Sequence, residues 1–381
     1  MSKKELILDD INNGWESPIA IHPGEFLQDY IEEYHISQID LALRTGMSKK
    51  IINEIINGKN PITENMAVKL SKILPLSVEY WLNLQAGYEA DLARLNQKND
   101  LKKDIKHLSH FKHAYKELSR IEKTTKQRWT EKNFTEIVLE LQKFFGVSSL
   151  GFLNSTMDFA FRKYDRNNLD HHTLAAWLRL GDIKAQKSTV SVFDKQTLLD
   201  RLSEIKLLST KGKDEYLPAL EKIFAEFGIV LAYVPYLENT HIQAATKWIS
   251  PEKALIMIAT SKGKDEGKFW FNLFHEIGHL LLHSKKEFHI DLDGYNASLE
   301  IEKEADDFAQ KMLITDFDSV IKDLFRCSDG LEQGIVRIAK ENGISPAILA
   351  GRITHEFKDA NKKIYSVMSK FLQVRISEMN V

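Results

Sequence analysis

The stretch FNLFHEIGHLLLHS, residues 271–284, carries two histidines four apart, His275 and His279, with Glu276 directly after the first. On a helix, residues four apart stand one above the other on the same face. The two imidazoles then converge on one point and Glu276 lies beside them. A zinc ion used for catalysis takes three protein ligands and leaves a position to water. A glutamate within reach accepts that water's proton and passes it to a leaving amine. These residue types at this spacing point to metal-assisted hydrolysis of a peptide bond. A buried amphipathic helix could also carry the same five residues without using them. Leu273, Phe274, Ile277, Leu280 and Leu281 supply an apolar side, and Gly278 reads as space left beside a metal.

A third ligand is expected on a second helix. The segment IEKEADDFAQKML, residues 301–313, has an apolar stripe of Ile301, Ala305, Phe308, Ala309 and Met312. Two of its glutamates are eligible, Glu302 and Glu304, and helical geometry separates them by about 200°. Glu302 and Asp306 are four apart at the edge of the stripe, so both can turn toward one cleft. Glu304 lies on the side of Lys311 and solvent. Glu302 is therefore the expected ligand, with Glu304 as the alternative. Asp306 is expected to accept the free N–H of a ligand histidine. His283, His289, Tyr295, Arg352 and His355 are candidates for contacting an oxyanion, though His283, one turn past His279 on the same face, reads rather as a histidine at the cleft rim or behind a ligand.

The elements that must position these groups follow from composition and texture. A chain of 381 residues exceeds one ordinary core, so two or three domains are expected. Hydrophobic residues at 43% and charged residues at 28% describe a globular chain. The net charge of -2 gives no global attraction to nucleic acid or membrane. The single cysteine, Cys327, rules out an intrachain disulfide and suits a reducing compartment. The opening MSKKELILDDINNGW lacks the apolar core of a signal peptide, and no apolar run is long enough to span a bilayer. A cytoplasmic protein without a membrane partner is expected. Residues 1–92 read as short helices punctuated by Ser, Thr and Gly. Residues 93–212 read as a helical middle, with a basic segment at 98–128 of net charge +6 and a surface pair, His171 and His172, at a helix start. Residues 213–381 mix helices with the strand-like runs FGIVLAYVPYL, IQAATKWI, KALIMIAT and FHIDLD. The expected class is mainly α with a small β-sheet (α+β).

Within the first part, SQIDLALRTGMSKKIINEIINGK, residues 37–59, has the layout of a helix-turn-helix. Ala42 is small where the helices cross, and Gly46 makes the turn. Such a second helix enters the DNA major groove with its N-terminal residues leading. Ser48, Lys49, Lys50 and Asn53 would then face DNA, and Asn57 and Lys59 could reach the backbone. Residues 1–91 hold eight basic and fourteen acidic residues, a net of -6, whereas Arg44 to Lys59 is locally +3. Binding should therefore be salt-sensitive and gain from dimerisation.

Residues KFWFNLFHEIGHLLLH, followed by EKEADDFA and the tail GISPAILAGRITHEF, resemble the ImmA/IrrE family of zinc metallopeptidases. AAWLRLG, FGIVLAYVPYL and ATKWI are similar to its longer members, so the resemblance spans about residues 130–360. It implies a zincin-like C-terminal domain, Zn2+ as cofactor, and a gluzincin-like site with His275, His279 and Glu302 as ligands and Glu276 as base. It also implies a DNA-binding regulator or an antitoxin as substrate. Asp306 stands where the family has a small polar residue, which still permits its hydrogen-bonding role. Residues 18–92, with IHPGEFL before the core and EYWLNLQAGYE after it, resemble the HigA/VapI-type antitoxin branch of XRE regulators. That implies operator DNA, a cognate toxin or repressor protein, and a homodimer. The expected function is a regulator with a zinc-dependent endopeptidase domain. The alternative is a non-catalytic antitoxin or repressor whose zincin-like domain binds a toxin or senses a signal.

Overall fold

Short polar side chains start the N-terminal helices by turning back onto the backbone. The computed structural model describes residues 19–121, 126–153, 169–260, 265–283, 289–292, 299–326, 330–357 and 362–372. It divides into two units, Met1–Lys106 and His107–Val381. In the first unit, α1 (Pro23–Glu33) is capped by His22, whose Nδ1 accepts from the Gly24 N–H at 2.9 Å. Helix α2 (Gln38–Thr45) is capped by Ser37 and stops at Gly46 in the left-handed conformation (φ 64°). Helix α3 (Lys49–Ile56) follows after Ser48, then α4 (Glu64–Leu70) after Thr63 and the long α5 (Val78–Ile105) after Ser77. Each of these caps satisfies a backbone N–H that the helix itself cannot. Leu27, Ile31, Leu41, Ile52, Ile55, Leu70 and Trp81 form the core. A Cβ on Gly24 would collide with the Ile55 carbonyl, so α1 and α3 touch backbone to backbone there.

The second unit begins with α6 (Lys112–Ile121), α7 (Phe134–Phe145) and α8 (His171–Lys187). Helices α9 (Lys195–Asp200), α10 (Leu202–Leu207) and α11 (Lys213–Glu226) lead into the sheet. Its strands are β1 (Ile229–Pro235), β2 (Ile242–Ser250), β3 (Lys253–Thr260) and β4 (His289–Leu292), in the order β1-β3-β2-β4. β1 runs parallel to β3, and β2 pairs antiparallel with both β3 and β4. All four expected strand runs form strands, and the fold is mainly helical with this one small sheet, as the texture predicts.

Between β3 and β4 in sequence comes α12 (Glu266–Leu282), which carries the histidine pair. Then follow α13 (Leu299–Leu313), α14 (Phe317–Phe325), α15 (Leu331–Glu341), α16 (Pro346–Glu356) and α17 (Lys362–Phe371). Side chains alternate across strands, so the sheet presents two apolar faces. Ile229, Leu231, Tyr233, Ala254, Ile256 and Ile258 join one core with α11 and α12. Val230, Ala232, Leu255 and Met257 face the other way and are also buried, with Met257 against Gly181 of α8. Phe269, Trp270, Leu273, Phe274 and Ile277 seat α12 in the first core, so the aromatics before the histidines are packing groups. No described helix is long and apolar enough to cross a membrane. Cys327, Tyr295 and the side chain of His289 lie outside the described residues.

Glu266, in the first turn of α12, is buried, and burial pushes its carboxyl up to about 7. Asp265 adds to the shift, while the polar groups of Trp270 and Ser345 beside it oppose it. A raised folded value means that the native state holds the proton more tightly than the unfolded chain does. Stability is therefore highest below the ordinary value of 4.5 and falls as pH rises toward about 7. Glu266→Gln should remove that loss. In urea unfolding it should match the parent near pH 4.5 and exceed it at pH 8, by up to about 3 kcal/mol.

Candidate metal centre

α12 and α13 approach closely because a glycine faces an alanine. A Cβ on Gly278 would lie 3.2 Å from the Ala305 Cα and 3.2 Å from Phe308 Cδ1. The smallness of Gly278 thus serves the contact between the two helices, a correction to its reading as space beside a metal. That contact sets Glu302 against the histidines of α12. His275 Nε2 and His279 Nε2 are 2.9 Å apart, and Glu302 Oε2 lies 3.2 Å from the first and 3.5 Å from the second. Donor atoms around a tetrahedral zinc at ~2.0–2.1 Å are roughly 3.3 Å from one another. The three atoms therefore have the spacing a single small divalent cation requires.

The outward nitrogens of both rings are taken. Asp306 Oδ1 is 2.8 Å from His275 Nδ1. His279 Nδ1 is 3.0 Å from His283 Nδ1, and His283 Nε2 is 3.1 Å from Glu304 Oε2. One pattern of protons satisfies both chains. His275 donates from Nδ1 to Asp306, while His279 donates from Nδ1 to His283, which donates from Nε2 to Glu304. Both ligand rings then present bare Nε2 lone pairs inward, which is how a hydrogen-bonded partner prepares a histidine for a metal.

Burial sharpens the electrostatics. His275 and His279 are 4% and 3% exposed, and Glu276 between them is fully buried. Burial pulls the His279 imidazole below its ordinary value, with the neighbouring His275 acting in the same direction. Burial alone would raise the Glu302 carboxyl. Interactions with His275 and His279 outweigh it and hold Glu302 at about 2. The centre therefore favours a neutral His279 imidazole and an ionised Glu302 carboxylate, protonation states a cation needs.

Each residue marked out in the sequence has a place. His275, His279, Glu302 and Asp306 come together, with Glu276 on the same helix. Glu304, the alternative ligand, is exposed and reaches His283 instead. His283 is engaged on both ring nitrogens, which explains why the one-turn spacing from His279 places it on the same face. Arg352, on α16, is bound to Glu356 at 2.7 Å and covers the Phe317 ring, and His355 is exposed on the same helix. The tie between His283 and Glu304 is the part that sequence reasoning missed. The i,i+4 spacing of His279 and His283 was its only local signal.

In the first unit, Ser48, Lys49, Lys50, Asn53, Asn57 and Lys59 are all exposed, on α3 or just outside its two ends. Ser48 Oγ accepts from the Ile51 N–H at 3.2 Å and keeps its hydrogen to donate. Asn57 Nδ2 donates to the Asn53 carbonyl and to Asn53 Oδ1, which leaves Asn53 Nδ2 outward. Lys50 is 84% exposed, with Glu54 a distant 3.8 Å away. Ile52 and Ile55 turn the opposite face of α3 into the core.

Two families match. Residues 27–81 match a helix-turn-helix family, and residues 226–354 match the IrrE N-terminal-like domain of peptidase family M78. Virulence-associated protein A of Dichelobacter nodosus is 38% identical over 77 residues, which covers 20% of this chain and 74% of that protein. Virulence-associated protein I of the same organism is 32% identical over 81 residues, covering 21% and 75%. An uncharacterized HTH-type transcriptional regulator of Escherichia coli K12 is 32% identical over 66 residues, covering 17% and 70%. Among solved structures, an addiction module antidote protein of the HigA family from Coxiella burnetii shares 30% identity, covering 22% of this chain and 94% of that one at a TM-score of 0.21.

The packing at Gly278 carries its own test. Gly278→Val would press on the Ala305 backbone and the Phe308 ring and should cost about 1–3 kcal/mol in urea unfolding. An unchanged midpoint would show that the helices can part without loss.

Proposed function

Since the chain belongs to the helix-turn-helix family of virulence-associated proteins A and I through its N-terminal unit, and carries an IrrE N-terminal-like domain at residues 226–354, we propose that it is a DNA-binding transcription regulator that hydrolyses a specific protein with a zinc-dependent site. The observation that carries the peptidase reading is the convergence of His275, His279 and Glu302 within 3.5 Å, with Glu276 buried on the same helix. Zn2+ held there would supply Lewis acidity to a scissile carbonyl and acidify a water. Glu276 follows His275 directly and sits on the helix that presents both imidazoles. Its role is to take a proton from the attacking water and deliver it to the leaving amine. Asp306 and His283 keep the two imidazoles aimed inward. Burial of the pair excludes bulk water and strengthens these charges.

The DNA reading rests on the helix-turn-helix match and on the exposed start of α3. Lys49 and Lys50 suit phosphates or guanine. Asn53 can read adenine through both its amide groups once Asn57 turns away to a phosphate. Ser48 and Lys59 add backbone contacts. The partner is the operator of the chain's own promoter, bound as a homodimer because a +3 patch in an acidic unit gives one copy little affinity. The substrate is a cognate toxin or repressor protein under the same control, and the setting is cytoplasmic.

Glu276→Gln should keep bound zinc and abolish cleavage. Comparing new protein N-termini in cells expressing the parent or this variant should reveal one or a few cleavage products that the variant lacks. Identical sets of termini, with zinc retained, would reject catalysis in favour of a binding or sensing role. Asp306→Ala and His283→Ala should each weaken zinc roughly 10–100-fold. Lys50→Ala and Asn53→Ala should each weaken binding to a fragment of the chain's own promoter by about 1–3 kcal/mol. Unchanged binding would rule out α3 as the reading helix.

A further inference from the structure

A second set of metal-type donors lies away from the α12 centre. On α6, His113 and Glu117 stand one turn apart on the same face, and the loop between β1 and β2 brings Glu238 to them. One ring nitrogen of His113 and one carboxylate oxygen each from Glu117 and Glu238 all lie within 4.8 Å of one another. We propose that His113, Glu117 and Glu238 form a second site for a first-row divalent cation of the zinc type.

His113 is oriented as a ligand would be. Its Nδ1 lies 3.0 Å from Thr173 Oγ1 and 3.4 Å from Asp170 Oδ2, both at the start of α8. A proton on Nδ1 therefore has two acceptors, which leaves the Nε2 lone pair to accept. Nε2 points at the β1–β2 loop, where the Asn239 amide lies 3.2 Å away as the replaceable partner. A carboxylate behind a histidine is the usual support of a metal ligand.

Glu117 is buried, and Oε2 is fully used. It accepts from Arg120 at 2.8 Å and from the Glu238 backbone N–H at 3.0 Å. Its other oxygen, Oε1, takes no hydrogen bond among the described residues, so a lone pair is left for a cation. Glu238 is exposed and can swing onto the site from the solvent side. Three carboxylates, from Glu117, Glu238 and Asp170, surround His113 against one guanidinium, Arg120. The local excess of negative charge is what a divalent ion neutralises. One imidazole with two carboxylates suits borderline ions such as Zn2+ better than thiolate-seeking ones, since no sulfur is offered.

The loop is built to hold this arrangement. Asn239 and His241 both have left-handed backbones, with φ of 62° and 51°. Such conformations persist only where the surroundings enforce them. Here Arg120 binds the Tyr236 carbonyl, Glu117 binds the Glu238 N–H, and the Asp170 N–H binds the Asn239 carbonyl.

The test uses the full chain with the first centre disabled, His275→Ala with His279→Ala, titrated with Zn2+ by calorimetry. One Zn2+ per chain is expected to bind, and the parent should bind two. Adding Glu238→Gln should weaken the remaining event tenfold or more, as should adding His113→Asn. Glu238 is exposed and its backbone N–H bond survives substitution, so this variant decides even where His113→Asn disturbs the fold by circular dichroism. If the disabled chain misfolds, Glu238→Gln in the parent decides, with stoichiometry falling from two to one. Absence of Zn2+ binding in a folded disabled chain, or an affinity unmoved by Glu238→Gln, would overturn the site. Neither result bears on His275 and His279, so failure here leaves the peptidase reading intact.

Discussion

The close contact between α12 and α13 is the constraint on which the centre depends. Two histidines four apart on a helix give two imidazoles but never a closed site, because the third donor must come from elsewhere in the chain. Gly278 against Ala305 lets the second helix come near enough for the Glu302 carboxylate to reach both Nε2 atoms within 3.5 Å. A larger residue at either position would move Glu302 outward. The apolar face of α12 fixes the other side of the arrangement, since Phe269, Trp270, Leu273, Phe274 and Ile277 are locked into the core shared with β1 and β3.

Around that contact the charges fall into order. Burial holds the His279 imidazole toward its neutral form, and Glu302 remains ionised because His275 and His279 stand beside it. On the outer side, Asp306 serves His275, and His283 with Glu304 serves His279. The two ligand rings are thus supported differently: one by a carboxylate directly, the other through a second imidazole. A similar support recurs at His113, where Thr173 and Asp170 take Nδ1 and Asn239 lies against Nε2.

Much of this was legible in the sequence because it is local. The spacing of His275, Glu276 and His279, and of Glu302 and Asp306, is set by helical periodicity, and periodicity also separated Glu302 from Glu304. The strand runs declared themselves through β-branched and aromatic residues. The helix starts in the N-terminal unit declared themselves through Ser37, Ser48, Thr63 and Ser77. What escaped depends on pairs distant along the chain. Nothing near Gly278 reveals that Ala305 will lie against it, so in the sequence its smallness reads as room for a metal. His283 and Glu304 are 21 residues apart, and Glu117 and the Glu238 backbone are 121 apart. No local pattern joins them, and only the packing of helix against helix and loop against helix does.

We propose that α13 closes the metal centre through Glu302 and not through Glu304. Zinc affinity measured by competition with a chelator in Glu302→Ala and Glu304→Ala tests it directly. Glu302→Ala should lose tight zinc at the α12 centre, while Glu304→Ala should retain it with a smaller loss transmitted through His283. Tight zinc surviving Glu302→Ala but not Glu304→Ala would make Glu304 the ligand instead.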